Sequence, residues 1–395
     1  MTYLIGITLM GPVAAAAAVI IYAFMAISIY HETLGLHFIS STAIYMIFFY
    51  TILRAQKDTK TIWYVSTGIT AGLCYLSYTS SYIALPILIA ALIGGFIQKK
   101  SSAIGWVIWS LIGFIIVTAP FITYAATQEN YFGGRINQVS LLTGSWSAGK
   151  LTAFSLPQAG ELLYESTRVS AMSLVKSGIG GHGGYLFAQQ AFFHPTGLIL
   201  FLIGFLYAIV CIKKQNGIIL ALLTILLTFL TGMVFTIPPP AFHRLTLAFP
   251  FIAIISAAPF RQVSLHNKTA VTLALVLISI YAGANIRYAQ TAMLPESRIE
   301  DAAIIRVINA TYPNRQIHIA AFPSFALGKF FPFFPTTSAP VIDTKFHRDY
   351  LNDEAYTEPF IFIITLPRDF RTDFEAMYPA ASYIPFSDKY GLLVN

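Results

Sequence analysis

Apolar residues along this chain recur in blocks separated by short polar junctions, and the pattern changes character after residue 286. A helix needs about 20 predominantly apolar residues to cross the hydrocarbon core of a bilayer. Nine stretches approach that length, at about 4–29, 34–53, 62–78, 82–98, 103–126, 196–212, 217–237, 241–260 and 269–286. Beyond them the blocks shorten and alternate. A periodic stretch at 296–312 precedes a β-rich run at 316–322, a charged helix around 347–356, an apolar run at 360–366, a helix at 369–378 and short strands near Ser382 and Leu392. Such an alternation predicts a small α/β domain, and an apolar strand bounded by helices predicts a partly parallel sheet covered on both faces. The expected fold is therefore an α-helical polytopic membrane protein, residues 1–286 forming the membrane domain and 287–395 a soluble outer α/β domain.

The short loops orient these spans. Arg54, Lys57, Lys60, Lys99, Lys100, Lys213, Lys214, Arg261 and Lys268 all fall on one side, against Arg244 alone in the short loops opposite. Cytoplasmic loops carry the excess of Lys and Arg, so the basic side is expected to be cytoplasmic. A long loop at 127–195 and the tail from 287 are then placed outside. The first span has no Lys or Arg before it and exceeds a signal-peptide apolar core, so it reads as a retained helix. Within the outer loop, 156–176 predicts an amphipathic helix at the membrane interface: Pro157 suits a first turn, Glu161, Glu165 and Arg168 form a polar stripe, and Leu162, Leu163, Val169 and Met172 supply apolar area.

Composition closes off other classes. Charged residues make up 10% and apolar residues 56% of the chain, where a soluble domain carries roughly 25% charged residues. A soluble globular enzyme is excluded, and 15% aromatics exclude a disordered chain. By position, residues 1–286 hold 14 Lys/Arg against 5 Asp/Glu, whereas 287–395 hold 10 against 12. The sequence pI of about 9.2 thus reflects loops beside a bilayer and gives no reason to invoke nucleic acid. Cys74 and Cys211 both lie in apolar stretches, which leaves no CxxC motif or disulfide framework.

Candidate chemistry concentrates at the outer ends of the spans. Ionisable groups are nearly absent from the spans themselves, which argues against an ion-coupled transporter. Glu32, beside His31 at the outer end of the first span, is the main exception. His243 and Arg244 follow Pro238-Pro239-Pro240 at the expected outer mouth of the eighth span, where a rigid turn can hold a basic pair against a lipid headgroup. A guanidinium suits a phosphate because its planar fork donates two parallel hydrogen bonds; the alternative is an arginine that merely reaches the interface. Arg135, after Gly133-Gly134, joins Lys150, Arg168 and Lys176 in making the outer loop locally basic. The run 180–184 (GGHGG) can present backbone N–H groups to a phosphate or serve as a flexible loop. No glycine-rich phosphate loop links strand to helix in the tail.

Three stretches, Gly68 through Pro86 (GITAGLCYLSYTSSYIALP), Gly178 to Gly204 with its His194-Pro195, and Pro238 through Pro250 (PPPAFHRLTLAFP), resemble the multispan lipid-dependent glycosyltransferases of the GT-C type, the group of the protein O-mannosyltransferases and aminoarabinose transferases. The resemblance covers roughly residues 1–290, and the tail is similar to the small outer domain that many members carry. It implies transfer of a sugar from a dolichyl- or undecaprenyl-phosphate donor to an acceptor at the outer face of the plasma membrane, with Arg244, His243 and Arg135 as lipid-phosphate contacts. It further implies a carboxylate base in the first outer loop, often beside a divalent metal. The family's first two spans and that carboxylate motif have no counterpart here, and Glu32, the nearest substitute, belongs to a different loop. A fragment, a degenerate relative and a subunit completed by a partner chain all fit this departure. A non-catalytic protein that binds lipid-linked sugars or scaffolds surface-polysaccharide assembly is the alternative function.

Overall fold

The computed structural model describes residues 1–33, 38–98, 103–127, 140–142, 156–179, 190–211, 216–236, 241–293, 315–320, 341–345, 359–365, 367–386 and 390–395, with isolated positions at 304, 307–308, 310–312 and 350–351. The chain divides into two compact units, Met1–Leu294 and Pro295–Asn395.

The first unit is helical. Five stretches among the described residues are long and apolar enough to cross a membrane: Thr79–Ile97, Ala103–Ala126, Asn216–Val234, Phe242–Gln262 and Lys268–Met293. The stretch expected as a first span at 4–29 is instead three helices, α1 (Thr2–Met10), α2 (Pro12–Ala23) and α3 (Ala26–Thr33). Gly11 has φ 89°, a left-handed conformation open to glycine, and Pro12 cannot continue the helix before it. The chain therefore doubles back: a Cβ on Gly6 would lie 2.9 Å from the Cα of Ala15, nine positions away. Hydropathy averaged across this reversal looks like one span, yet α1, at 9 residues, reaches only about 13 Å.

Helices α4 (Phe38–Asp58), α5 (Thr61–Ser77), α6 (Ala84–Ile97, after a 3₁₀ turn at Thr79–Ile83) and α7 (Ala103–Ala126) follow. The Gly68-x-x-x-Gly72 spacing of α5 lets two backbones touch. A Cβ at Gly68 would collide with the Ser110 carbonyl of α7, and one at Gly113 with the Val65 carbonyl of α5. Tyr64 stacks on Trp106 at 5.9 Å, and Ser110 Oγ donates to the Tyr64 carbonyl at 3.0 Å. Position 64 meeting 106 and position 72 meeting 117 make the two helices parallel, so α6 returns between them.

Helix α8 (Leu156–Ser173) lies in the stretch expected to be amphipathic. Its Glu161, Glu165 and Arg168 are exposed as expected, but its most buried positions are Ala159, Ser166, Ser170 and Ser173, with Leu162, Leu163, Val169 and Met172 half-buried. Helices α9 (Pro195–Cys211), α10 (Asn216–Phe229, prolonged by a π-helical turn at Leu230–Val234), α11 (Phe249–Ala257) and α12 (Lys268–Tyr288) complete the unit. Helix α11 continues a 3₁₀ segment at Phe242–Ala248 and is followed by another at Ala258–Gln262. This stretch is the core of the unit, 94% of its apolar window being buried, against 22% for α7. Gly204 of α9 packs directly on the Ile255 carbonyl, and Phe251 lies 4.6 Å from Phe49 and 5.9 Å from Tyr45 of α4.

The second unit carries a five-stranded sheet, β1 (Gln316–Ala320), β2 (Val341–Lys345), β3 (Phe360–Thr365), β4 (Ser382–Pro385) and β5 (Tyr390–Val394), in the order β2-β1-β3-β5-β4. Strands β2, β1 and β3 are parallel, while β5 is antiparallel to both β3 and β4. Alternation along β3 sends Phe360, Phe362 and Ile364 to one face, against Phe374 and Tyr378, and Ile361 and Ile363 to the other, against Ile304 and Ile308. The Phe374 face is covered by α13 (Pro367–Met377).

Candidate functional site

The His243–Arg244 pair, expected at the outer mouth of the eighth span, is buried within the first unit. All seven residues of the Phe242–Ala248 segment are buried, His243 at 5% and Arg244 at 8% exposure. The segment opens with the Arg244 N–H donating to the Ala241 carbonyl at 2.9 Å and is tightened by Thr246 Oγ1 donating to the His243 carbonyl at 3.2 Å. Seven residues is long for a 3₁₀ helix, a geometry that seldom runs beyond three or four. Packing holds it in place: α4, α10 and the π-helical turn surround it. Gly232 of that turn is the tightest neighbour, because a Cβ there would lie 3.0 Å from the Arg244 carbonyl and 3.1 Å from its Cβ. Burying a guanidinium away from water is costly, so its retention in the core of the unit marks the position as a candidate site.

An apolar cavity of about 240 Å³ adjoins the same segment. Leu245 and Ala248 line one wall, and Phe192, Phe201, Leu222 and Phe229 line others. One short segment therefore carries a buried cation and part of an apolar cavity wall.

A second polar cluster forms where α2 gives way to α3. The break leaves a free carbonyl at Ile21 and a free N–H at Ala26. Tyr281 OH donates to the first at 3.0 Å, and Asn285 Oδ1 accepts from the second at 3.3 Å, both reaching from α12. Asn285 Nδ2 donates to Thr196 Oγ1 at 3.3 Å, and the Thr196 N–H donates to His194 Nδ1 at 3.4 Å. His194 thus caps the amino end of α9, its carbonyl accepting the Leu198 N–H at 3.0 Å. Partial burial holds the imidazole below its usual pKa, and a neutral ring is the form whose Nδ1 can accept. A water-sized cavity of about 10 Å³ lies among Ile21, His194, Ser256, Tyr281 and Asn285.

Of the remaining expected site residues, most lie outside the described residues. Glu32 falls in the last turn of α3, its side chain outside the described residues, as are Arg135, Lys150 and the 180–184 run. Arg168 is committed to Glu165, its Nε donating to Oε2 at 2.8 Å; this bond holds the Glu165 carboxyl below its usual range. Among the described residues no three His, Cys, Asp or Glu side chains converge as metal ligands.

No protein-family model matches the sequence, and no curated protein matches it. Solved structures do. ArnT from Cupriavidus metallidurans bound to undecaprenyl phosphate is similar with a TM-score of 0.57 and 9% identity, covering 100% of this chain and 81% of that one. Its apo state gives 0.54 and 10%, with 100% and 80% covered. This chain has the GT-C fold. The likeness covers the whole chain, residues of both units included. An oligosaccharyltransferase from Archaeoglobus fulgidus is similar over 95% of this chain and 58% of that one, at a TM-score of 0.48 and 13% identity.

Within this GT-C fold the sequence reading had missed two groups. Phe192 and Phe193 looked like a loop end, yet Phe192 packs on Phe242 at 5.3 Å and on Phe249 at 5.5 Å and lines the apolar cavity. Ser166 and Ser170 were overlooked on a helix read for its leucines. Their i, i+4 spacing, continued by Ser173, was the available signal that a small polar stripe faces inward.

Proposed function

We propose that this protein is a membrane glycosyltransferase that moves a sugar from a polyprenyl-phosphate donor to an acceptor at the outer face of the plasma membrane. One observation carries the reading: in a chain with a GT-C fold, the Phe242–Ala248 segment contains both the buried Arg244 and two residues, Leu245 and Ala248, that line an apolar cavity. A lipid phosphate needs both parts, a cation for its headgroup and an apolar space for its isoprenoid chain. Arg244 takes the phosphate that leaves when the glycosidic bond breaks, where a fixed donor stabilises developing negative charge. His243 and Arg135 are the further lipid-phosphate contacts, and Glu32 is the candidate base. The undecaprenyl phosphate bound to the similar ArnT supports this class of donor.

The same reading places nine crossings in the membrane: α2 with α3, then α4, α5, α6, α7, α9, α10, the Phe242–Gln262 stretch and α12. The parallel course of α5 and α7 supports the alternation, and the basic junctions favour an outer side for the sheet-bearing unit.

The test incubates the purified full chain, reconstituted in bilayers, with radiolabelled undecaprenyl-phosphate sugars and lipid or peptide acceptors. Transfer that falls at least tenfold in Arg244→Ala is the expected result. Transfer equal to that of empty bilayers, or unaffected by Arg244→Ala, rejects the reading.

A further inference from the structure

Helix α8 belongs to the loop between α7 and α9 and makes no part of the Phe242–Ala248 segment, but two hydrogen bonds tie it to the Leu230–Val234 turn that packs against that segment. Ser166 Oγ donates to the Val234 carbonyl at 2.7 Å, and Ser170 Oγ donates to the Met233 carbonyl at 3.3 Å. Both serines are buried, at 3% and 0% exposure. Their acceptors are the last two residues of the Leu230–Val234 turn, where the helix ends and its final carbonyls have no amide of the same helix to bond. The same turn meets the Arg244 segment at two points. Met233 Sδ accepts the Ala241 N–H at 3.1 Å, fixing the residue that leads into the segment. Gly232 lies flat against the Arg244 backbone.

We infer that Ser166 and Ser170 are positioning residues for Arg244: through the Gly232-Met233-Val234 turn, α8 sets where the guanidinium stands. A serine is the residue the place requires. It is small enough to sit between two helices and carries one O–H to give to a main-chain carbonyl. Leucine or valine at the same positions would fill the contact but leave the carbonyls without donors, at a free-energy penalty. Neither serine is placed against the ligand. Their effect is transmitted by backbone position, so it depends on Arg244 being present. The i, i+4 stripe continues with Ser173, whose Oγ turns back to the Ser170 carbonyl at 2.8 Å and does not touch the turn; it is therefore the internal control.

This inference rests on Arg244 meeting a lipid phosphate, and the experiment separates the two. Binding of undecaprenyl phosphate to the full chain in nanodiscs is measured for the unaltered chain, Arg244→Ala, the double variant Ser166→Ala/Ser170→Ala, Ser173→Ala, and the triple variant that adds Arg244→Ala to the double. Amide hydrogen exchange is followed over 230–248 in parallel. The expected result is a several-fold loss of affinity in the double variant, little in Ser173→Ala, faster exchange over 230–248, and no further loss when the serine changes are added to Arg244→Ala. Wild-type affinity in the double variant, with Arg244→Ala weakened, overturns the positioning role and leaves the lipid-phosphate reading standing. The same fold-loss with and without Arg244 also overturns it, because a merely structural role would act independently of that arginine. Unchanged binding in Arg244→Ala sinks the lipid-phosphate reading itself. Single Ser166→Cys and Ser170→Cys variants, which keep a weak donor of similar shape, are expected to restore part of the affinity; equal loss in cysteine and alanine variants argues against hydrogen bonding as the cause.

Discussion

Asn285 Oδ1 accepts the backbone N–H of Ala26 at 3.3 Å, joining positions 259 residues apart in the chain. The bond supplies an acceptor to the first amide of α3, which the break at Phe24–Met25 leaves without a helical partner, while Tyr281 from one turn earlier in α12 donates to the Ile21 carbonyl in the last turn of α2. Asn285→Leu removes the acceptor and leaves a buried N–H, a penalty of about 1–3 kcal/mol. A lower thermal midpoint of the detergent-solubilised protein is expected, with Asn285→Asp milder than Asn285→Leu. Equal midpoints for the two would show that the acceptor oxygen is not what matters.

Close backbone contact between α5 and α7 makes a second expectation. Gly68→Ala inserts a methyl where the Ser110 carbonyl already stands, so the helices must separate, at a destabilisation of about 1–3 kcal/mol. Gly283→Ala, on α12 with nothing within 4 Å of its Cβ position, is expected to be neutral or stabilising by up to about 1 kcal/mol. Melting curves that rank the two the other way would contradict the close approach.

The imidazole of His194 supplies a pH dependence. Its folded pKa is depressed by burial, so below the unfolded value, about 6.5, the unfolded chain binds more protons than the folded one. Stability is therefore complete above that pH and declines as pH falls through it toward the lower folded pKa. Protonation also costs the Nδ1 acceptor that caps Thr196 and places positive charge at the amino end of α9. His194→Asn, which keeps a capping acceptor without titrating, is expected to flatten the decline of the thermal midpoint between pH 7 and 5. An unaltered slope would assign the decline to other groups.

Filling the apolar cavity should separate ligand binding from folding. Ala248→Leu adds three carbons into a space of about 240 Å³ and is expected to leave stability within about 1 kcal/mol, since the added volume meets a void and not packed atoms. Affinity for undecaprenyl phosphate should fall several-fold in the same variant. Undiminished affinity would move the isoprenoid chain elsewhere.

How much of this was legible in the sequence depended on whether the deciding interaction was local. The helical segments of the first unit and four of the five strands follow from apolar periodicity, because each buries a face that its own sequence defines. The reversal at Gly11-Pro12 was equally local and was missed because a run of apolar residues masks a turn when only hydropathy is followed. Strand β2 was not found for the opposite reason: Val341–Lys345 is a five-residue edge strand with an Asp and a Lys, which is how sheet edges are kept from pairing further. Of the site, Arg244 was visible as an isolated cation beside a proline run. Its burial was not, since that depends on α4, α10 and the π-helical turn arriving from distant parts of the chain. The partners of Ser166 and Ser170 lie 68 and 63 residues away, and no pattern within α8 names them.

The near-complete enclosure of the Phe242–Gln262 stretch has a consequence for biogenesis. Synthesis delivers α4 some two hundred residues before the segment that packs beside it, so Tyr45 and Phe49 are made long before Phe251 emerges to pack on them. Until then the two rings lack the partner that packs on them in the finished unit. A ribosome stalled before residue 242 leaves the earlier helices without the segment that completes their core.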